Sequence, residues 1–96
     1  MIAGHFLVVG AASNLKIFLA SVKLPKEFQC LELLEIQPRR RLWQFEAQRI
    51  PSSKVRALSL AHPRLTFVID FDDGRNKGLM RVRAGEIHRC QLRYLP

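Results

Sequence analysis

Trp43 to Phe71 reads WQFEAQRIPSSKVRALSLAHPRLTFVIDF, and this stretch decides the fold. Trp43, Phe45 and Ala47 alternate with Gln44, Glu46 and Gln48, the period-two pattern of a half-buried strand. Pro51-Ser52-Ser53 opens a helix with Ser52 or Ser53 as its cap, and Val55, Leu58 and Ala61 fall on its inner side. Pro63 ends that helix. Leu65, Phe67, Ile69 and Phe71 then alternate with Arg64, Thr66, Val68 and Asp70, which predicts another strand, and Asp73-Gly74 supplies the turn after it.

Upstream, the apolar run His5 to Val9 ends at Gly10 and reads as a buried strand. Ser13 is placed to cap a helix over Asn14 to Val22, whose Leu15, Phe18, Leu19 and Val22 recur at helical spacing. Gln29 to Ile36 is a second strand, although the adjacent Leu33 and Leu34 leave a short helix as the alternative. Pro38 and Arg39-Arg40-Arg41 form a connection to the Trp43 strand.

Downstream, Gly78 to Tyr94 predicts a hairpin turning at Ala84-Gly85-Glu86. A two-residue turn mixes oily and charged side chains on each face. A three-residue loop pairs Arg83 with Ile87 and Arg81 with Arg89. It gathers Met80, Val82, His88, Cys90, Leu92 and Tyr94 on one face and Arg81, Arg83, Arg89, Gln91 and Arg93 on the other. One residue of slip exchanges the faces, so the pattern selects the three-residue loop. The expected fold is α+β: a ferredoxin-like βαββαβ antiparallel sheet with two helices on one face, plus a C-terminal β-hairpin. At 96 residues the chain is expected to be a single domain, 1–96.

The charge is the most informative part of the composition. Sixteen Lys and Arg stand against eight Asp and Glu, a net charge of +8, and eleven of the cations are arginines. Such an excess favours encounter with an anionic partner, and the guanidinium fork grips carboxylate or phosphate with two hydrogen bonds. Cys30 and Cys90 are too few for a disulfide framework. The uncharged run Met1 to Leu15 is too short to cross a bilayer and lacks a basic leader, so a cytoplasmic location without membrane contact is expected.

The stretch FEAQRIPSSKVRALSLAHPRLTFVIDF, Phe45 to Phe71, resembles the YubB-like ferredoxin-like domain family of phage and plasmid proteins. In that family a strand carrying Phe-Glu leads through a proline into a helix that stops before a second proline and a hydrophobic strand. Phe45-Glu46, Pro51, Pro63 and Leu65 to Phe71 match these features, and Gly85 matches a glycine in the hairpin beyond. The resemblance covers the second half of the chain. It implies a ferredoxin-like fold and a mobile-element origin, and it implies no activity.

Arg39, Arg40, Arg41, Arg81, Arg83, Arg89 and Arg93 are the candidate binding residues for an anionic partner. Arg81 opposite Arg89 would repel unless an anion sat nearby. The leading expectation is a small non-catalytic interaction module that docks this arginine-rich face on a partner protein complex. With the resemblance, that becomes a phage or plasmid modulator or inhibitor of a host or defence complex, of the anti-CRISPR kind. The alternative is a nucleic-acid-binding domain contacting the phosphate backbone, although the aromatics Trp43, Phe45, Phe67, Phe71 and Tyr94 fall on expected buried faces rather than among the arginines. A metal-dependent nuclease using Asp70 and Asp72 ranks third. His88 and Cys90 share a strand face that Cys30 can approach across the sheet, an incomplete zinc set better read as core. No nucleophile elbow, phosphate loop, dinucleotide fingerprint or HExxH motif occurs, so no enzyme activity and no cofactor are expected. A homodimer through an exposed sheet edge is a further expectation.

Overall fold

The computed structural model describes residues 1–93, the last three by their backbone alone. The elements run β1 (Ile2–Val9), α1 (Ala12–Ser21), β2 (Gln29–Gln37), β3 (Arg40–Ala47), α2 (Ser52–Ala61), β4 (Thr66–Asp72), β5 (Asn76–Arg83) and β6 (Glu86–Arg93). The chain is α+β, as expected. Its six strands form one antiparallel sheet in the order β2-β3-β1-β4-β5-β6, compatible with a ferredoxin-like fold.

Alternation builds the core on one side of this sheet. Phe6 and Val8 of β1, Phe45 and Ala47 of β3, Phe67 and Ile69 of β4, and Met80 and Val82 of β5 are all buried, and Leu15 and Phe18 of α1 with Val55 of α2 cover them. Phe6 is the hub. Its ring lies 5.0 Å from Phe28, 5.8 Å from Trp43 and 6.0 Å from Phe67, centroid to centroid. Both helices pack on this side, and the other side of the sheet carries no helix. Among the described residues no helix is long and apolar enough to cross a membrane.

Several local expectations are corrected. Neither Ser13 nor Ser52 or Ser53 caps a helix, because the helices start earlier than the serine signal implies, α1 by two residues and α2 by one or two, with Ala11 and Pro51 at the N-cap positions. On α2 the inner position falls to Ser59, fully buried, while Ala61 is exposed. β2 is a strand, and register shifts between Gln29 and Glu32 and between Leu33 and Glu35 absorb the adjacent leucines that broke the alternation. The connection to β3 is only Pro38-Arg39, with Gln37 opposite Arg40, so Arg40 and Arg41 belong to the strand.

The hairpin register is the largest correction. Arg83 pairs with Glu86, Val82 with Ile87, Arg81 with His88 and Met80 with Arg89, so the loop is Ala84-Gly85, the two-residue turn. Both loop residues have positive φ, 48° at Ala84 and 82° at Gly85, as a type I′ turn requires. The turn is also held from α2. The Ser59 hydroxyl accepts the Gly85 N–H at 2.9 Å and donates to the Arg56 carbonyl at 2.6 Å, while Arg56 Nε donates to the Gly85 carbonyl at 2.9 Å. Face alternation fails as a guide here because β6 is an edge strand. Ile87 reaches the core, but Arg89 on the same side lies exposed, so neither face of β6 excludes charge.

The β4–β5 turn carries a pH-sensitive carboxylate. Asp73 Oδ1 accepts the N–H groups of Asn76 at 2.8 Å and Arg75 at 2.9 Å, and these bonds hold its carboxyl below the usual aspartate range. Because the folded value is depressed, the stabilising contribution is complete above the ordinary aspartate pKa and is lost as pH falls through the folded value. Asp73→Asn keeps an acceptor oxygen but cannot titrate. Its urea midpoint should match the parent at neutral pH and fall less on acidification below about pH 4. An equally steep acid loss in the variant would place the sensitive group elsewhere.

Candidate functional site

Strand pairing fixes what stands at each end of the sheet. At one end, Gln37, Arg40, Val9 and Thr66 lie in a row across β2, β3, β1 and β4. Arg83 extends the row on β5, donating from Nη1 to Thr66 Oγ1 at 3.2 Å, and Glu86 closes it on β6. Arg81 stands one row in, beside Val68. Arg39 and Arg64 flank Gly10 at the same end: the Gly10 N–H donates to the Arg39 carbonyl at 3.0 Å, and a Cβ on Gly10 would sit 3.3 Å from the Arg64 carbonyl oxygen. The end therefore gathers Arg39, Arg40, Arg64, Arg81 and Arg83 from three separate parts of the chain.

Of these five, Arg40 alone has a carboxylate partner among the described residues: its Nε lies 3.1 Å from Glu35 Oε2. Arg39, Arg64, Arg81 and Arg83 are exposed. The row from Arg40 to Arg83 spans three inter-strand spacings, about 14 Å. Exposed guanidiniums without an internal carboxylate, as at Arg39, Arg64, Arg81 and Arg83, are groups able to hold an anion.

The expected site is thus brought together only in part. Arg39, Arg40, Arg81 and Arg83 converge. Arg41 points to the helix side, opposite Val8, and its Nε is buried without a hydrogen-bond partner. Arg89 also lies on the helix side, opposite Met80. Arg93 pairs through its backbone with Asn76 at the far end of the sheet, and its side chain and Tyr94 lie outside the described residues. Arg81 faces His88 rather than Arg89, so the like-charge contact expected between the two arginines does not arise. Arg64 is the member that sequence reasoning missed, since alternation placed it only on the polar side of a strand.

Other candidates separate in space. Cys30 is on β2 and Cys90 on β6, at opposite edges of the sheet, so the expected approach of Cys30 to His88 and Cys90 is overturned. A hydrogen bond with Glu46, and the negative charge of that carboxylate, raise the Cys30 thiol above its usual range. Asp70 and Asp72 do share one side of β4. Asp70 Oδ1, however, is engaged by His5 Nδ1 at 2.9 Å, and Asp72 Oδ1 accepts the Gly74 N–H at 2.9 Å. Among the described residues no three His, Cys, Asp or Glu side chains come close enough together to hold a metal ion.

The helix-free side of the sheet has its own order. Leu7, Leu42 and Val68 are half-buried across its middle, with Val9 half-buried beside them in the end row. Glu32 and Glu46 stand at the β2–β3 corner near one end, and Arg81 and Arg83 at the β5–β6 corner near the other. Between them the His5–Asp70 pair lines a groove of about 610 Å³ together with Gln44 and Leu79. Comparison with protein-family models, with curated proteins and with solved structures finds no match.

Proposed function

We propose that this chain is a small ferredoxin-like interaction module that docks the arginine end of its sheet, Arg39, Arg40, Arg64, Arg81 and Arg83, on an anionic surface of a partner protein. One observation carries the reading: five arginines from three segments stand at one end of the sheet, and among the described residues a single carboxylate pairs with one of them. Folding alone gives no return for that repulsion, whereas a partner's carboxylates relieve it. The resemblance of Phe45 to Phe71 to phage and plasmid proteins makes a modulator of a host or defence complex the concrete version.

A protein partner is favoured over nucleic acid because the helix-free face carries no Phe, Tyr or Trp among its described residues as a platform for base stacking, and its only rings are the His5 and His88 imidazoles. Tagged protein incubated with host lysate, with and without nuclease, should capture a protein in both arms. Arg39→Glu/Arg64→Glu should reduce that capture on the order of tenfold, with the parent's thermal midpoint retained, and the capture should weaken with salt. Capture that disappears with nuclease, with log affinity falling linearly in log salt, would transfer the surface to the phosphate backbone. Undiminished capture by the double variant would overturn the placement.

A further inference from the structure

We infer that the helix-free face of the sheet is a dimer interface whose occupant is the same face of a second copy. Arg40, Arg81 and Arg83 belong to this face and to the arginine end alike, whereas Arg39 and Arg64 lie off the face, so the two readings are tested by different variants.

The first argument is the charge pattern. Six carboxylates (Glu32, Glu35, Glu46, Asp70, Asp72 and Glu86) and four cations (Arg40, Lys77, Arg81 and Arg83) point to this side, a net charge of −2 on a chain of +8. The helix side and the loops therefore hold the surplus positive charge, and this face can approach another copy of itself without that repulsion. The signs are also ordered. The acidic corner with Glu32 and Glu46 lies diagonally across from a corner where Arg81 and Arg83 outnumber Glu86, and Leu7, Leu42 and Val68 lie between them. A two-fold axis in the plane of contact exchanges the corners, setting acid over base twice, with the aliphatic middle resting on its own copy.

Area is the second argument. Six strands of about eight residues make a face of roughly 25 Å by 25 Å, about 600 Å² per copy and about 1,200 Å² in total, which reaches the lower bound of stable specific interfaces. Two sheets stacked about 10 Å apart leave room for one interdigitated layer of side chains. The half-buried Leu7, Val9, Leu42 and Val68 supply that layer.

Charge swapping tests this directly. The parent should sediment as a dimer at about 50 μM in low salt and shift toward monomer in about 0.5 M salt. Arg81→Glu/Arg83→Glu makes both corners acidic, and Glu32→Lys/Glu46→Lys makes both basic, so each variant alone should be a folded monomer. An equimolar mixture of the two should dimerise again, because every acidic corner then meets a basic one. A monomeric parent, a variant that stays dimeric alone, or a mixture that stays monomeric would each overturn the inference. None of these results changes the capture measured with Arg39→Glu/Arg64→Glu.

Discussion

Phe6→Ala should lower stability by about 3–5 kcal/mol, enough to drop the thermal midpoint by more than about 15 °C. Phe6 is fully buried on the central strand and touches three aromatic rings supplied by other segments: Phe28 from the loop before β2, Trp43 from β3 and Phe67 from β4. Phe28 in turn meets Phe45 at 4.5 Å with the rings tilted, and Phe67 meets Phe18 of α1 edge-on at 5.4 Å. Removing the hub leaves a cavity that these rings cannot all close on, since each is anchored on a different element. A domain of this length has roughly 5–14 kcal/mol of total stability, so the loss is a large fraction of the whole. Urea denaturation of parent and variant measures it. A loss under about 1 kcal/mol would mean that the aromatic cluster collapses freely and is not the hub of the core.

Most of the fold was legible because the core strands are covered on one face only. In β1, β3 and β4 the buried residues fall at every second position; the apolar run His5 to Val9 marks β1, and alternation marks β3 and β4. Legibility failed where burial stops constraining the pattern. β2 and β6 are the two edges, and β2 exposes Leu31, Leu33, Leu34 and Ile36. β6 tolerates arginine on the helix side because it is the sheet edge, where Arg89 stays exposed. An amphipathic test assumes that one face is dry, and at β6 that assumption does not hold. Ala84-Gly85 settles the register instead, through backbone conformation and the Ser59 contact, neither of which leaves a mark in hydropathy.

The site was legible as a charge excess and illegible as a place. Composition and the Arg39-Arg40-Arg41 run point to an anionic partner, but Arg39 sits in the turn while Arg40 and Arg41 face opposite sides of β3. Arg41 therefore left the cluster while Arg39 and Arg40 stayed. Arg64 joined from a position 25 residues away in sequence only because Gly10 brings its segment beside the β2–β3 turn. No local pattern encodes that meeting. It needs β1 to sit between β3 and β4, which is a property of the topology.

Gly4→Ala should be as damaging as the loss of Phe6, for a different reason. Gly4 lies on β1 between Phe45 of β3 and Phe71 of β4, and a Cβ there would stand 2.0 Å from the Asp70 carbonyl oxygen and 3.0 Å from the Phe71 Cα. The obstacle is backbone, so no rotamer change relieves it. The strands must part, breaking hydrogen bonds in the middle of the sheet at about 1–3 kcal/mol for each buried group left unpaired. Gly78 gives the contrast. A Cβ there would meet the Phe71 ring at 2.1 Å, an obstacle made of side chain. Gly78→Ala should therefore be rescued in large part by Phe71→Ala, a coupling that a double-mutant cycle reads directly. Phe71→Ala should leave Gly4→Ala unrescued. Rescue of both variants would mean that β1 and β4 separate easily, and an unharmed Gly4→Ala would show that the close approach of the two central strands is not required for folding.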